Sequence, residues 1–146
     1  EYREFAGAAD FLLELYGVRF QVEYVRTINK YDIRPVRMMP VFNIPDPAGE
    51  LQPDYIKWNG YLLLAWQLPL DALIGQMRLT PYVMLEKSVM DDTYKDLDAR
   101  MFRGGINFKP NSFVVLKVDA VHVDFPRSDI LTDPWWIVNG QLAVSF

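Results

Sequence analysis

The sequence contains no cysteine and a single histidine, His122. The first absence excludes disulfides, thiolate metal sites and cysteine nucleophiles. The second leaves any Ser-His chemistry to one residue. Ser128, the nearest serine downstream, shares a loop with it but forms no triad, and no Gly-x-Ser-x-Gly elbow exists. Catalysis is therefore not expected. No apolar run approaches the roughly 20 residues of a membrane-spanning helix, which argues against a helical membrane protein. The chain also lacks a phosphate-cradling glycine loop, a Cys/His metal set and a basic helix, so no cofactor, no metal and no nucleic-acid partner is expected. Two acidic stretches, Asp91, Asp92, Asp96 and Asp98, then Asp124, Asp129 and Asp133, match no EF-hand spacing and lack its glycine. They read as a solvated acidic rim.

What is present is alternation. The composition, 51% hydrophobic and 23% charged with a net charge of -4, fits one folded domain over residues 1–146. Its mean hydropathy of -0.02 hides apolar residues at every second position. In the closing segment 134–146, Trp136, Val138, Leu142, Val144 and Phe146 share one parity with Gly140, while Asn139, Gln141, Ala143 and Ser145 share the other. This is the period of a strand with a greasy face and a polar reverse. From Trp136 to Phe146 is about 33 Å of extended chain, which a tilt near 40° reduces to roughly 25 Å, the usual separation of aromatic girdles.

Read the same way, the chain predicts seven strands, near 5–16, 18–26, 55–68, 76–87, 100–109, 113–125 and 135–146. Gly17 permits a tight reversal after the first. Residues 27–54 hold five prolines (Pro35, Pro40, Pro45, Pro47 and Pro53) and read as a long loop; 88–99 and 124–134 are the other long loops. Compact turns fall at 69–75 and 110–112. Pro81 weakens the fourth strand. Short turns thus alternate with long loops, as in outer-membrane barrels.

The stretch Arg103-Gly104-Gly105-Ile106-Asn107-Phe108-Lys109-Pro110-Asn111-Ser112-Phe113-Val114-Val115-Leu116-Lys117-Val118, joined to the aromatic terminus, resembles the closing strands of Gram-negative porins, most of all the phosphate-selective and substrate-specific ones. The resemblance covers about the last 45 residues. It implies an all-β, antiparallel transmembrane β-barrel in the cell outer membrane, passive transport, and recognition of the last strand by the barrel-assembly machinery. It does not imply phosphate, because no family set of ligand residues matches position by position.

Seven strands are an odd count, and such barrels carry an even one. About 16 strands leave an aqueous channel, whereas seven or eight fill their own interior. The expectation is therefore the C-terminal portion of a larger barrel, with an unseen eighth strand in residues 31–45 as the competing explanation. The sequence opens at Glu1 without a leader, as an exported chain that has shed one, or one that begins part-way through a longer product.

If the apolar parity faces lipid, the polar parity lines the pore. It then offers Arg19 and Glu23 from the second strand, Arg78 and Glu86 from the fourth, Arg103, Asn107 and Lys109 from the fifth, and Lys117 and Asp119 from the sixth. These charges either brace the wall across the ladder or form an anion path. Trp58, Trp66, Trp136 and Phe146 are the expected membrane-interface anchors. The basic residues Lys30, Arg34 and Arg37 of the first long loop either narrow a pore or cover a partner. The functional classes are a porin-like channel for small hydrophilic solutes or ions, a scaffolding barrel subunit of an envelope complex, and a soluble lipocalin-like binder with the alternation inverted. Partners on the first two readings are the bilayer with its lipopolysaccharide, and other subunits or a homo-oligomer.

Overall fold

The computed structural model describes residues 2–36, 38–39, 44–45, 49–68, 77–93, 98–126, 128 and 133–144. They form nine strands: β1 Tyr2–Leu15, β2 Val18–Tyr31, β3 Met38–Met39, β4 Ile44–Pro45, β5 Tyr55–Trp66, β6 Arg78–Val89, β7 Asp98–Lys109, β8 Val114–Asp124 and β9 Trp135–Val144. Seven of them make one sheet in the order β1-β2-β5-β6-β7-β8-β9, each antiparallel to its neighbour. The small β3–β4 pair lies in the connection between β2 and β5. No helix is long and apolar enough to cross a membrane among the described residues.

The register keeps every strand in phase. Phe11 faces Val22, Val22 faces Leu62, Leu62 faces Leu85, Leu85 faces Phe102, Phe102 faces His122 and His122 faces Trp136. A slip of one residue anywhere would throw a strand's apolar set onto the opposite face, so the shared alternation itself selects this pairing. One face of the sheet is consequently apolar through its middle rows, with Arg26, Lys87, Arg100 and Asp124 toward one end, and the other largely polar. The more exposed face is the apolar one. Val138, Leu142 and Val118 on the apolar face are 76%, 64% and 59% exposed, while Tyr82 and Asp119 on the polar face are 8% and 5% exposed. The polar face is therefore concave, and its side chains cover one another.

The sheet is open. The sequence predicts part of a larger transmembrane barrel; among the described residues the sheet is not closed, since β1 pairs only with β2 and β9 only with β8, and both edge strands are exposed along their whole length. The reason is topological as well as numerical. In an antiparallel sheet of seven strands the two edge strands run the same way, so they cannot pair antiparallel with each other. No eighth member of the sheet arises from 31–45 among the described residues, where β3–β4 and a Val36–Leu51 bridge are the pairings present.

Strand ends move in the same direction. β2 runs to Tyr31, inside the expected loop 27–54, because Thr27, Ile28 and Asn29 find partners on both sides, in β1 and in β5. β1 accordingly begins at Tyr2 rather than near 5. β6 reaches Val89 and β7 starts at Asp98, which shortens the loop placed at 88–99. Pro81 is tolerated inside β6 because the continuous β5 ladder ends at the Ala65–Tyr82 pair, so its missing N–H falls where that ladder is interrupted. The turn expected at 69–75 lies outside the described residues.

Tyr16 (φ 49°) and Gly17 (φ 79°) both adopt positive φ, the requirement of a two-residue hairpin turn whose twist matches its strands. Gly17 is constrained twice. Its carbonyl accepts from Gln67 N at 2.8 Å, and a Cβ there would stand 2.9 Å from Gln67 O. Gly17→Val should lower stability by about 1–2 kcal/mol or more, read as a drop in the urea midpoint followed by tryptophan fluorescence. An unchanged midpoint would contradict this account of the turn.

Candidate functional site

The polar face holds the candidate site. All nine residues assigned to it from sequence lie on it, since Arg19, Ala65, Tyr82, Gly105, Asp119 and Asn139 form one cross-strand row, and Glu23, Tyr61, Glu86, Met101 and Val123 another. Arg103 lies in the row between them, against Met84 and Val121; Asn107 and Lys117 face one another in the row beyond; Arg78 faces Lys109 at the end.

The structure does not join these residues mainly by salt bridges. Among the described residues the face carries Glu14–Arg19 at 3.6 Å and Lys117–Asp119 at 3.2 Å. Glu23 and Glu86 are held by neutral donors instead. The Tyr61 hydroxyl donates to Glu23 Oε2 at 2.9 Å and accepts from Gln21 Nε2 at 2.7 Å, and Arg19 donates to Gln21 Oε1 at 2.9 Å. Asn59 Nδ2 donates to Glu86 Oε1 at 3.0 Å. A carboxylate satisfied this way needs no cation beside it.

Asp119 is the most enclosed of the group. It accepts from the Tyr82 hydroxyl at 2.8 Å and from Asn139 Nδ2 at 2.9 Å, with Lys117 Nζ on the same oxygen as Tyr82. Lys117 Nζ also lies 5.3 Å from the centre of the Tyr82 ring. Three strands therefore converge on one carboxylate. Tyr82 and Asp119 sit two strand spacings apart, about 9–10 Å between backbones, and they meet because Gly105 stands between them with no side chain. A Cβ on Gly105 would lie 2.6 Å from Asp119 Cβ and 2.8 Å from the Tyr82 hydroxyl. Tyr61, Tyr82, Asn59, Asn139, Gln21 and Gly105 were not marked as site residues from sequence. The available signal was a tyrosine or amide on the polar parity of a strand.

Charge is graded along the strands. At the end carrying the Tyr16-Gly17 turn, a groove of about 430 Å³ is lined by Gln67, Arg78, Thr80, Asn107, Lys109 and Lys117, with no carboxylate among its described lining residues. Arg78 and Lys109 face each other directly, a like-charged pair that favours an anion between them. At the opposite end stand Asp32, Asp54, Asp91, Asp92, Asp98 and Asp124. These do not all form a solvated rim, as the sequence suggests. Asp91 is 8% exposed and accepts from Gln52, from Thr93 N and from the Thr93 hydroxyl, while Asp92 Oδ1 accepts from Ile56 N at 2.8 Å. Here the acids tie the connections to the sheet, because loop N–H groups need acceptors. Asp96 and Asp129 lie outside the described residues. No metal-holding group of His, Cys, Asp and Glu occurs among those described.

Trp58, Trp66 and Trp136 sit on the apolar face. Phe146 lies outside the described residues, as does Arg37. His122 shares that apolar face and packs on Trp136 with ring centres 4.8 Å apart, in keeping with a packing role. The Arg103 Nε is buried with no hydrogen-bond partner among the described residues. No family model matches the chain, and no curated protein and no solved structure matches it.

The two adjacent glycines of β7 separate site from surface. Gly105→Ala should cost about 1–3 kcal/mol by forcing Tyr82 and Asp119 apart. Gly104→Ala, on the apolar face with nothing within 4 Å of its Cβ, should stay within about 0.5 kcal/mol of wild type. Equal effects of the two substitutions in chemical denaturation would contradict the convergence on Asp119.

Proposed function

We propose that this chain contributes seven strands to an outer-membrane β-barrel of a Gram-negative bacterium, and that the barrel passes small hydrophilic solutes or ions by diffusion. The observation that carries the reading is the inverted burial in the central strands: Tyr82 and Asp119 are enclosed on the polar face, while Leu62, Leu64, Leu85, Phe102, Ile106 and Val118 are exposed on the apolar one. In water, a continuous apolar surface of that extent is a liability. Against hydrocarbon it is the low-energy arrangement, and a soluble lipocalin-like binder has the opposite distribution.

The open edges support completion by further strands. Each presents a row of unpaired backbone groups, which hydrocarbon does not tolerate. Antiparallel pairing at both edges requires an odd number of additional strands, the first and last running opposite to β1. A second copy inserted the same way round does not meet that condition. About nine further strands would bring the barrel to about 16, wide enough for an aqueous channel. In that setting Trp58 and Trp66, about 26 Å apart along β5, mark the two interfaces, and β9 is the strand offered to the barrel-assembly machinery.

The basic groove around Arg78, Lys109 and Lys117 gives the pore an anion-favouring end. The full chain reconstituted in a planar bilayer should give stepwise conductance with a preference for anions. Removing two charges in Arg78→Gln/Lys109→Gln should move the reversal potential toward cations. An inserted protein that stays silent would leave a scaffolding barrel instead, and an unmoved reversal potential would remove the groove from the ion path.

A further inference from the structure

The apolar face carries charge beside its aromatic belt, near the ends of β6 and β7. Lys87 of β6 and Arg100 of β7 both project from that face and stand directly opposite one another. Like charges in register across a ladder are destabilising, and neither residue has an ion-pair partner among the described residues. The one carboxylate in their row is Asp124, which faces Arg100 from its far side, so the row keeps a positive excess. Toward β5, the row reaches Gly60, whose missing side chain leaves a trough between Tyr24 and Lys87. A Cβ on Gly60 would already touch Tyr24 at 3.4 Å.

This trough belongs to a cavity of about 470 Å³ in which Val22, Leu62, Leu85 and Phe102 lie below the two cations and Asp124 stands beside Arg100. His122 lies at its edge. Above it, Trp58 takes Lys87 Nζ at 4.9 Å from its ring centre, and Tyr24 packs on Trp58 with ring centres 6.0 Å apart. The order along the strands is therefore aromatic belt, paired cations, apolar trough. An amphiphile has the complementary order, an anionic head and then a hydrocarbon tail. A phosphate suits two cations on neighbouring strands, since its several acceptor oxygens can engage both at once.

We propose that Lys87 and Arg100, with the trough over Gly60, form a specific site for a lipid bearing a phosphate headgroup, the phosphate lying between the two cations and one acyl chain along Leu62, Leu85 and Phe102. The site is on the convex wall, separate from the solute path, and it rests on the membrane reading above. It sits at the end of the strands nearest the long connections, the outward end in the proposed barrel.

Native mass spectrometry of the full chain in detergent tests it, with lipid A as the probe and dephosphorylated lipid A as its control. Lipid A should be retained by the wild type, and retention should weaken about 30-fold in K87Q/R100Q. The swap K87R/R100K should restore it, and K57Q on the opposite face should leave it unchanged. Removing the phosphates from the probe should weaken wild-type binding to the level of K87Q/R100Q, a comparison that needs no variant to fold. Equal retention of the two lipids by the wild type overturns the proposal, as does undiminished binding by K87Q/R100Q. Displacement of the lipid by excess inorganic phosphate overturns it too, because the site would then read a free anion. A chain that enters neither detergent micelles nor bilayers contradicts the membrane reading instead, so the two failures are distinguishable.

Discussion

Everything in this chain depends on seven strands holding their alternation in phase across one sheet. Each strand is two-faced on its own, and the pairing register adds the faces without a slip from Phe11 to Trp136. Because the period is two, no intermediate arrangement exists: a strand is in phase or inverted. An in-phase sheet concentrates all its apolar area on one side. That leaves two ways to lower its free energy, a second layer or an apolar solvent. The proposed function takes the second, because Tyr82 and Asp119, the enclosed side chains of the central strands, lie on the polar face.

Closing a polar face demands that its groups find partners, and the partners are mostly uncharged. Glu23, Glu86 and Asp119 accept from Tyr61, Asn59, Tyr82 and Asn139. Satisfied carboxylates need not consume the cations, so Arg78 and Lys109 face one another with a groove beside them. The result is a wall whose charge is spent unevenly: acids anchor connections at one end, and cations stay available at the other. On the proposed reading, an anion's passage along such a wall would rest on that asymmetry rather than on any single residue.

The sequence made the alternation legible because alternation is local. Trp136, Val138, Leu142 and Val144 can be assigned a common face without any knowledge of the partner strand. The Gly17 turn was legible for the same reason. What escaped was non-local. The continuation of β2 to Tyr31 depends on Tyr2 to Phe5 and on Tyr55 to Lys57, far along the chain. The meeting of Tyr82 with Asp119 depends on Gly105 in the strand between them, and a glycine in a strand pattern does not announce what crosses it. Asp91 looked like surface charge because the loop groups it accepts from are set by the fold.

The central claim is that the convex apolar face meets lipid while the concave polar face meets water. The absence of cysteine makes a direct measurement clean, since every introduced thiol is unique. Single-cysteine spin labels placed in turn along β9, from Trp135 to Val144, can be read in bilayers for collision with oxygen and with a water-soluble nickel chelate. Labels at 136, 138, 142 and 144 should favour oxygen, and labels at 139, 141 and 143 the chelate, with a period of two. A flat profile, or the same period with the preferences exchanged, would contradict the account.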